Sequence, residues 1–241
     1  MSKNVFDISN ELMSNAYPGR GIIFGRTLDN KQNVVAYFIM GRSENSRNRI
    51  FVETEDGIRT QAYDPSKMTD PSLIIYHPVR QCGSKLVVTN GDQTDTICEY
   101  LREGKSYIDA LRTRQFEPDA PNYTSRISGV INEDGSYSLS ILKNFTSDRT
   151  SNKRFFYEYD KPVPGLGHFI HTYQCDGDPL PPFRGEPKCI RIEKPIKQFT
   201  EMLWTSMNEQ NKVALFVRYI DLATGAYWQE IRNKHEEGKN A

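Results

Sequence analysis

The stretch Gly41–Arg49, GRSENSRNR, places Arg42, Arg47 and Arg49 within nine residues, with Ser43, Asn45, Ser46 and Asn48 among them, directly after the apolar run VVAYFIM. A guanidinium is a rigid planar fork that grips phosphate or carboxylate oxygens two at a time, so three together neutralise a dianion. A solvated hydrophilic turn would carry the same residue types. A second polar concentration is TNGDQTDT, Thr89 to Thr96, where a strand runs through Asn90-Gly91 into the first turn of a helix. Free backbone N–H groups at a helix start bind anions, whereas Asp92, Thr94 and Asp95 are also ordinary capping residues. Capping accounts for one of them. It does not account for Asn90, Asp92, Gln93, Thr94 and Asp95 all gathering at the mouth of one strand, where functional groups are often displayed.

Two further stretches carry titratable groups beside apolar chain. In FEPDAPNYTSRISG, Phe116 to Gly129, Glu117 and Asp119 fall between an apolar helix and a proline-ruled turn into a strand. A carboxylate held against buried surface there would bind its proton tightly and serve in acid–base work; the plainer alternative is a loop whose acids face water. In IIYHPVRQ, Tyr76 and His77 end an apolar run read as a strand. Successive strand residues face opposite ways, so only one of the two can reach the interior. His168, His171, Cys175 and Cys189 match no familiar zinc-ligand spacing, and no metal is expected. The glycine-rich nucleotide loops and the G-x-S-x-G elbow are absent from the sequence, which removes the usual marks of NTP hydrolysis, dinucleotide binding and α/β-hydrolase chemistry.

The elements that must position these groups are short. GIIFGRT, NVVAYFIM, RIFVET, LIIYH and KLVVTN read as strands separated by turn residues such as LDNKQN and EDG. DQTDTICEYLREG and SYIDALRTRQF read as helices by the spacing of Ile97, Tyr100 and Leu101 and of Tyr107, Ile108, Leu111 and Phe116. Strands return at RISGVIN, SYSLSILKN, KRFFYEYD and HFIHTYQC. The proline-rich residues 176–188 are expected to be loop, and the end reads helix, strand, turn, strand (KQFTEMLWTSMN, KVALFVRYID, ATG, AYWQEIRN). The order points to an α+β chain with antiparallel sheets stacked under outer helices. No linker interrupts residues 1–241, so a single domain is expected.

Composition narrows the partners. With 31 basic and 31 acidic side chains the net charge is zero, so there is no overall pull toward nucleic acid or anionic membranes and any anion site must be local. No apolar run is long enough to span a bilayer, and MSKNVFDISNELMS has no apolar core of a secretory signal. The four cysteines follow no framework spacing and are expected as reduced thiols in a cytoplasmic protein.

Taken in order, YPGRGIIFGRT, GRSENSRNR, IIYHPVR, TNGDQTDTI and FEPDAPNYTSRISGVI, with the tail FTEMLWTSMNEQNKVALFVRYID, resemble the archaeal-type IMP cyclohydrolases and their bacterial relatives. The resemblance implies a four-layer αββα sandwich similar to the N-terminal-nucleophile hydrolases. It also implies the last step of purine synthesis, dehydrative closure of 5-formamidoimidazole-4-carboxamide ribonucleotide to inosine monophosphate. That reaction needs a near-attack pose, a donor to the formyl oxygen, a base for the carboxamide nitrogen and an anion site, but no metal or redox cofactor. On this resemblance Tyr76 is expected as donor and Glu117 as base or amide-orienting group. Arg42, Ser43, Arg47 and Arg49 are expected to orient phosphate or substrate, Asn90, Asp92 and Thr94 to hold carboxamide or ribose, and Asn122, Thr124 and Arg126 to flank the same pocket. Arg20 and Arg26 are less readily placed, since one strand carries both. Residues before Tyr17 and after Glu201 fall outside the short archaeal pattern and are expected to cap the sheets or build a homo-oligomer interface. The partner implied is a purine nucleotide, with no nucleic acid and no membrane. Two rivals remain open at this point: an N-terminal-nucleophile amidohydrolase using Ser2, and a non-catalytic purine-nucleotide-binding module.

Overall fold

Strands buried on both faces dictate the architecture. In β2 (Gln32–Met40), Val34, Ala36, Phe38 and Met40 join one apolar cluster while Val35, Tyr37 and Ile39 join another, so both faces of the strand are covered. The computed structural model describes residues 5–144 and 151–237; Ser2 lies outside them. Two antiparallel sheets run through the chain. One has the order β11-β10-β1-β2-β12-β13 and comprises β1 (Arg20–Arg26), β2, β10 (Leu166–His171), β11 (Lys188–Arg191), β12 (Lys212–Asp221) and β13 (Tyr227–Asn233). The other runs β3-β4-β5-β6-β7-β8-β9 and comprises β3 (Arg49–Thr54), β4 (Gly57–Ala62), β5 (Val79–Cys82), β6 (Lys85–Thr89), β7 (Arg126–Ile131), β8 (Tyr137–Asn144) and β9 (Asn152–Tyr159). Five pairs of consecutive strands are joined by short turns, as at Asp134-Gly135, where Gly135 takes a φ of +80°.

Three apolar clusters fix the stacking. Ile22, Phe24, Val35, Tyr37 and Phe216 of the first sheet meet Phe51, Val79, Val88, Ile127 and Leu139 of the second. The outer face of the first sheet is covered by α1 (Ile8–Met13) and α5 (Ile196–Ser206) through Ile8, Leu12, Phe199 and Leu203. The outer face of the second is covered by α3 (Gln93–Arg102) and α4 (Tyr107–Arg112) through Ile97, Cys98, Ala110 and Leu111 against Val87 and Val130. A short α2 (Glu44–Arg47) links β2 to β3.

Three expectations from sequence are corrected here. LIIYH is not a strand: Ile74 and Ile75 both donate to the Pro71 carbonyl in a turn, and the ladder position is taken by β4, which pairs with β5. The segment misleads because Ile74 and Tyr76 are buried while Pro71 and Pro78 deny it a continuous ladder. Cys82 and Cys98 are not free thiols but form a disulfide, tying β5 to α3; only Cys175 and Cys189 remain unpaired. Helices α1 and α2 and strand β11 have no counterpart in the periodicity, being too short to show one. No helix among the described residues is long and apolar enough to cross a membrane.

Candidate functional site

The antiparallel pairing brings the starts of β1, β3 and β7 and the ends of β2 and β6 to one end of the sandwich. Polar side chains enter the apolar layer there. Arg20, the first residue of β1, shares a strand face with Ile22 and Phe24 and therefore points between the sheets. Arg26 lies on the same face at the far end, donating to Asn30 and to the Gly135 carbonyl, so the two arginines sit at opposite ends of the layer. Arg49, the first residue of β3, is fully buried. Its Nε donates to Ser46 O at 2.7 Å, but one of its terminal nitrogens has no hydrogen-bonding partner, and neither does Nε of Arg20. Two buried cations with unpaired donors are costly unless something anionic or oxygen-rich completes them.

Glu117 faces this pair. It is 1 % exposed, held at the backbone by donating its N–H to Thr124 O at 2.8 Å. Burial pushes its carboxyl up to about 7 even though Arg20, Arg126 and Arg49 pull the other way. For Arg20 burial favours loss of the proton, yet Glu117 and the phenols of Tyr173, Tyr76 and Tyr17 outweigh it and hold the guanidinium well above its ordinary value. Tyr76 completes the group. Its hydroxyl is 2.8 Å from that of Tyr37, and its backbone is clamped by Thr60: Thr60 N donates to Tyr76 O, and Tyr76 N donates to Thr60 Oγ1, each at 2.9 Å. Thr60 thereby does for the irregular segment what a ladder would have done for a strand.

The arginine-rich stretch is divided by the fold. Only Arg49 enters the buried cluster. Arg42 stands at the rim, 2.8 Å from Asp176 and over the Tyr17 ring. Arg47 is spent on the loop itself, donating to Gly41 O and Asn211 Oδ1, and Ser43 is the N-cap of α2 in a reciprocal capping box with Ser46. The second and third stretches brace Glu117. Asn90 donates to Ser125 O at 2.9 Å and, longer, to Glu117 Oε1 at 3.5 Å, and accepts from Ile127 N and Gln93. Asp92 pairs with both Arg126 and Arg114; burial pushes its carboxyl up, but the two guanidinia more than offset this and hold it below its ordinary value. Thr94 is bonded to Thr89 and Gly91 O. Asp119 receives the Thr124 N–H and hydroxyl, that hydroxyl also meets Tyr173, and Asn122 accepts the Leu180 N–H. Gly91 lies close against this network: a Cβ there would lie 2.5 Å from an Arg126 nitrogen, so the ends of the Arg126 and Gln93 side chains would have to shift.

Sequence reasoning missed Tyr37, Thr60, Tyr17 and Tyr173. Tyr37 and Thr60 follow ordinary strand patterns, and only the alternation that turns them inward could have marked them. Among the described residues no three His, Cys, Asp or Glu side chains gather as metal ligands; His168 contacts the Tyr137 hydroxyl and His171 the Tyr173 carbonyl. The assembled group offers a neutral-range base, a hydroxyl donor and unpaired cationic donors in one buried cluster, a combination suited to proton transfer with charge developing on oxygen.

Comparison with known proteins identifies the family. The family model described as IMP cyclohydrolase-like protein matches residues 17–225, so the family pattern extends well beyond Glu201, where the short archaeal pattern was expected to stop. The chain is 28% identical over 166 residues to the IMP cyclohydrolase of Methanococcus aeolicus, covering 66% of this chain and 75% of that one. It is 27% identical over 162 residues to that of Methanopyrus kandleri, covering 65% and 75%. A third, from Methanococcus maripaludis, is 32% identical over 126 residues, covering 50% and 61%. With most of its length matched by one family model, and the matched region carrying the buried Arg20, Arg49, Tyr76 and Glu117, this chain belongs to the IMP cyclohydrolase-like family.

Proposed function

We propose that the chain is an IMP cyclohydrolase, closing the ring of 5-formamidoimidazole-4-carboxamide ribonucleotide to inosine monophosphate with loss of water. The observation that carries this reading is Glu117: a fully buried carboxyl poised at about 7, beside two arginines whose donors are unpaired. In the first step Glu117 takes a proton from the carboxamide nitrogen as that nitrogen bonds to the formyl carbon, and Tyr76 gives its proton to the formyl oxygen. The carbinolamine then loses its hydroxyl as water, with the proton of the former formamido nitrogen leaving to form the new C=N bond. Unpaired N–H groups of Arg20 and Arg49 stabilise oxygen-centred charge in the buried layer, where such contacts are worth more than in water. Arg42 at the rim attracts the nucleotide's phosphate, Asn90 contacts the Glu117 carboxylate at 3.5 Å, and the Arg126 charge favours its ionised form.

The stacking of helices, two sheets and helices is on this reading the four-layer αββα sandwich similar to the N-terminal-nucleophile hydrolases, used as a single domain without an N-terminal nucleophile. The enzyme acts in the cytoplasm at the end of purine synthesis on a soluble nucleotide. The test is conversion of the formamido nucleotide by purified protein. Tight binding of inosine monophosphate without turnover would replace this reading with that of a nucleotide-binding module.

A further inference from the structure

The hydroxyl of Tyr37 meets a single hydroxyl, that of Tyr76. Tyr37 sits in the middle of β2, in register with Ile22 of β1 and Phe216 of β12, stacked on Phe51 at a centroid distance of 5.7 Å, and fully buried. Its hydroxyl has one hydrogen-bonding partner among the described residues, the hydroxyl of Tyr76 at 2.8 Å. Either oxygen can donate in the resting protein. The charges of Arg20 and Arg49 act on Tyr37, and guanidinia are donors only. Once Tyr76 has given up its proton, its oxygen can only accept, and the Tyr37 O–H is then the donor of the contact.

We infer that Tyr37 is a positioning residue for the reaction: it holds the Tyr76 oxygen in place and donates to it as Tyr76 delivers its proton to the substrate. This inference rests on the cyclohydrolase reading and on Tyr76 as its donor. As Tyr76 gives up its proton to the formyl oxygen, its own oxygen gains negative charge, and the Tyr37 O–H···O contact becomes charge-assisted. The contact is thus stronger in the transition state than in the ground state, so it acts on kcat rather than on KM. No bond to Tyr37 forms or breaks; its proton stays on its own oxygen throughout. Tyr37 also lies on a central strand bonded on both sides, so the position of its oxygen is set by the sheet rather than by a loop. The segment that carries Tyr76 has no ladder of its own and gains this second point of fixation at its side chain.

The test is a double-mutant cycle of Tyr37→Phe and Tyr76→Phe, with kcat and KM measured on the formamido nucleotide. Tyr37→Phe removes one oxygen from a packed ring, and retained binding of inosine monophosphate with an unchanged thermal midpoint would verify that it folds. The expected result is a fall in kcat of about 10- to 100-fold, below the loss for a donor that touches the oxyanion itself, with KM within about twofold. In the Tyr76→Phe background, Tyr37→Phe should have no further effect, because a residue acting only through Tyr76 has nothing left to act on. Additive losses, or a change confined to KM, would overturn the inference while leaving the cyclohydrolase reading in place. Absence of turnover by the unmodified protein would overturn both.

Discussion

Replacing Glu117 by Gln should stabilise the protein at alkaline pH while abolishing most of its activity. The carboxyl is 1 % exposed, and burial raises its midpoint from 4.5 to about 7. A group whose midpoint is raised on folding binds more protons in the folded than in the unfolded state between those two values, so folding stability falls as pH climbs through that window. At about 1.36 kcal/mol per pH unit, the full excursion corresponds to roughly 3 kcal/mol lost by pH 8 relative to pH 4.5. Glutamine resembles the protonated carboxyl in shape and carries no charge, so Glu117→Gln escapes that loss. The assay is urea unfolding of both proteins at intervals from pH 5 to pH 9. The stability difference should be near zero at the acid end and grow toward roughly 2–3 kcal/mol in favour of the Glu117→Gln protein above pH 7.5. A difference that stays flat across this range would show that the carboxyl ionises with its ordinary midpoint, and the reasoning that makes it a neutral-range base would fail with it.

Further outcomes follow from the same geometry. Turnover should rise with pH through a midpoint near 7, as Glu117 loses its proton and becomes competent as a base; a profile already flat at pH 5 would remove Glu117 from that role. Arg49→Met deletes a buried cation with an unpaired nitrogen, and should cut kcat/KM by about 100-fold or more while costing little stability, since the uncompensated charge goes too; a large loss of thermal stability with kcat intact would show Arg49 to be structural. Gly91→Ala puts a Cβ 2.5 Å from Arg126 and 2.7 Å from Gln93, so both side-chain ends must shift; it should lower turnover while destabilising by no more than about 1 kcal/mol, read by denaturant unfolding. Reducing the Cys82–Cys98 bond, whose partners are 16 residues apart, should lower stability by about 3 kcal/mol and leave kcat nearly unchanged, because it ties β5 to α3 away from Glu117.

The sequence made the sheet strands legible wherever a continuous apolar run of strand length stood between turn residues, as in β2 and β12, and it made the Glu117 turn legible through proline and a pair of acids. It misread the Tyr76 segment because burial of Ile74 and Tyr76 imitates a strand, while the true constraint, the Thr60 side chain, comes from 16 residues earlier. Likewise the three arginines of Gly41–Arg49 look equivalent in a string of letters. The capping box at Ser43 starts a helix that carries Arg47 back onto the loop, and only the strand parity of β3 turns Arg49 inward. Arg20 was visible as a charge at the start of a strand, but its match with Arg49 depends on two sheets meeting face to face. That meeting is a long-range event with no local signature. The Cys82–Cys98 bond was hidden for the same reason: one cysteine ends a strand and the other lies in a helix.

The most direct test of the account is to mix the purified protein with 5-formamidoimidazole-4-carboxamide ribonucleotide in the presence of a chelator and follow the ultraviolet change as inosine monophosphate forms. The account predicts sustained turnover that is unaffected by the chelator and falls on Glu117→Gln and Tyr76→Phe. Tight binding of inosine monophosphate with no turnover by the unmodified protein would contradict it.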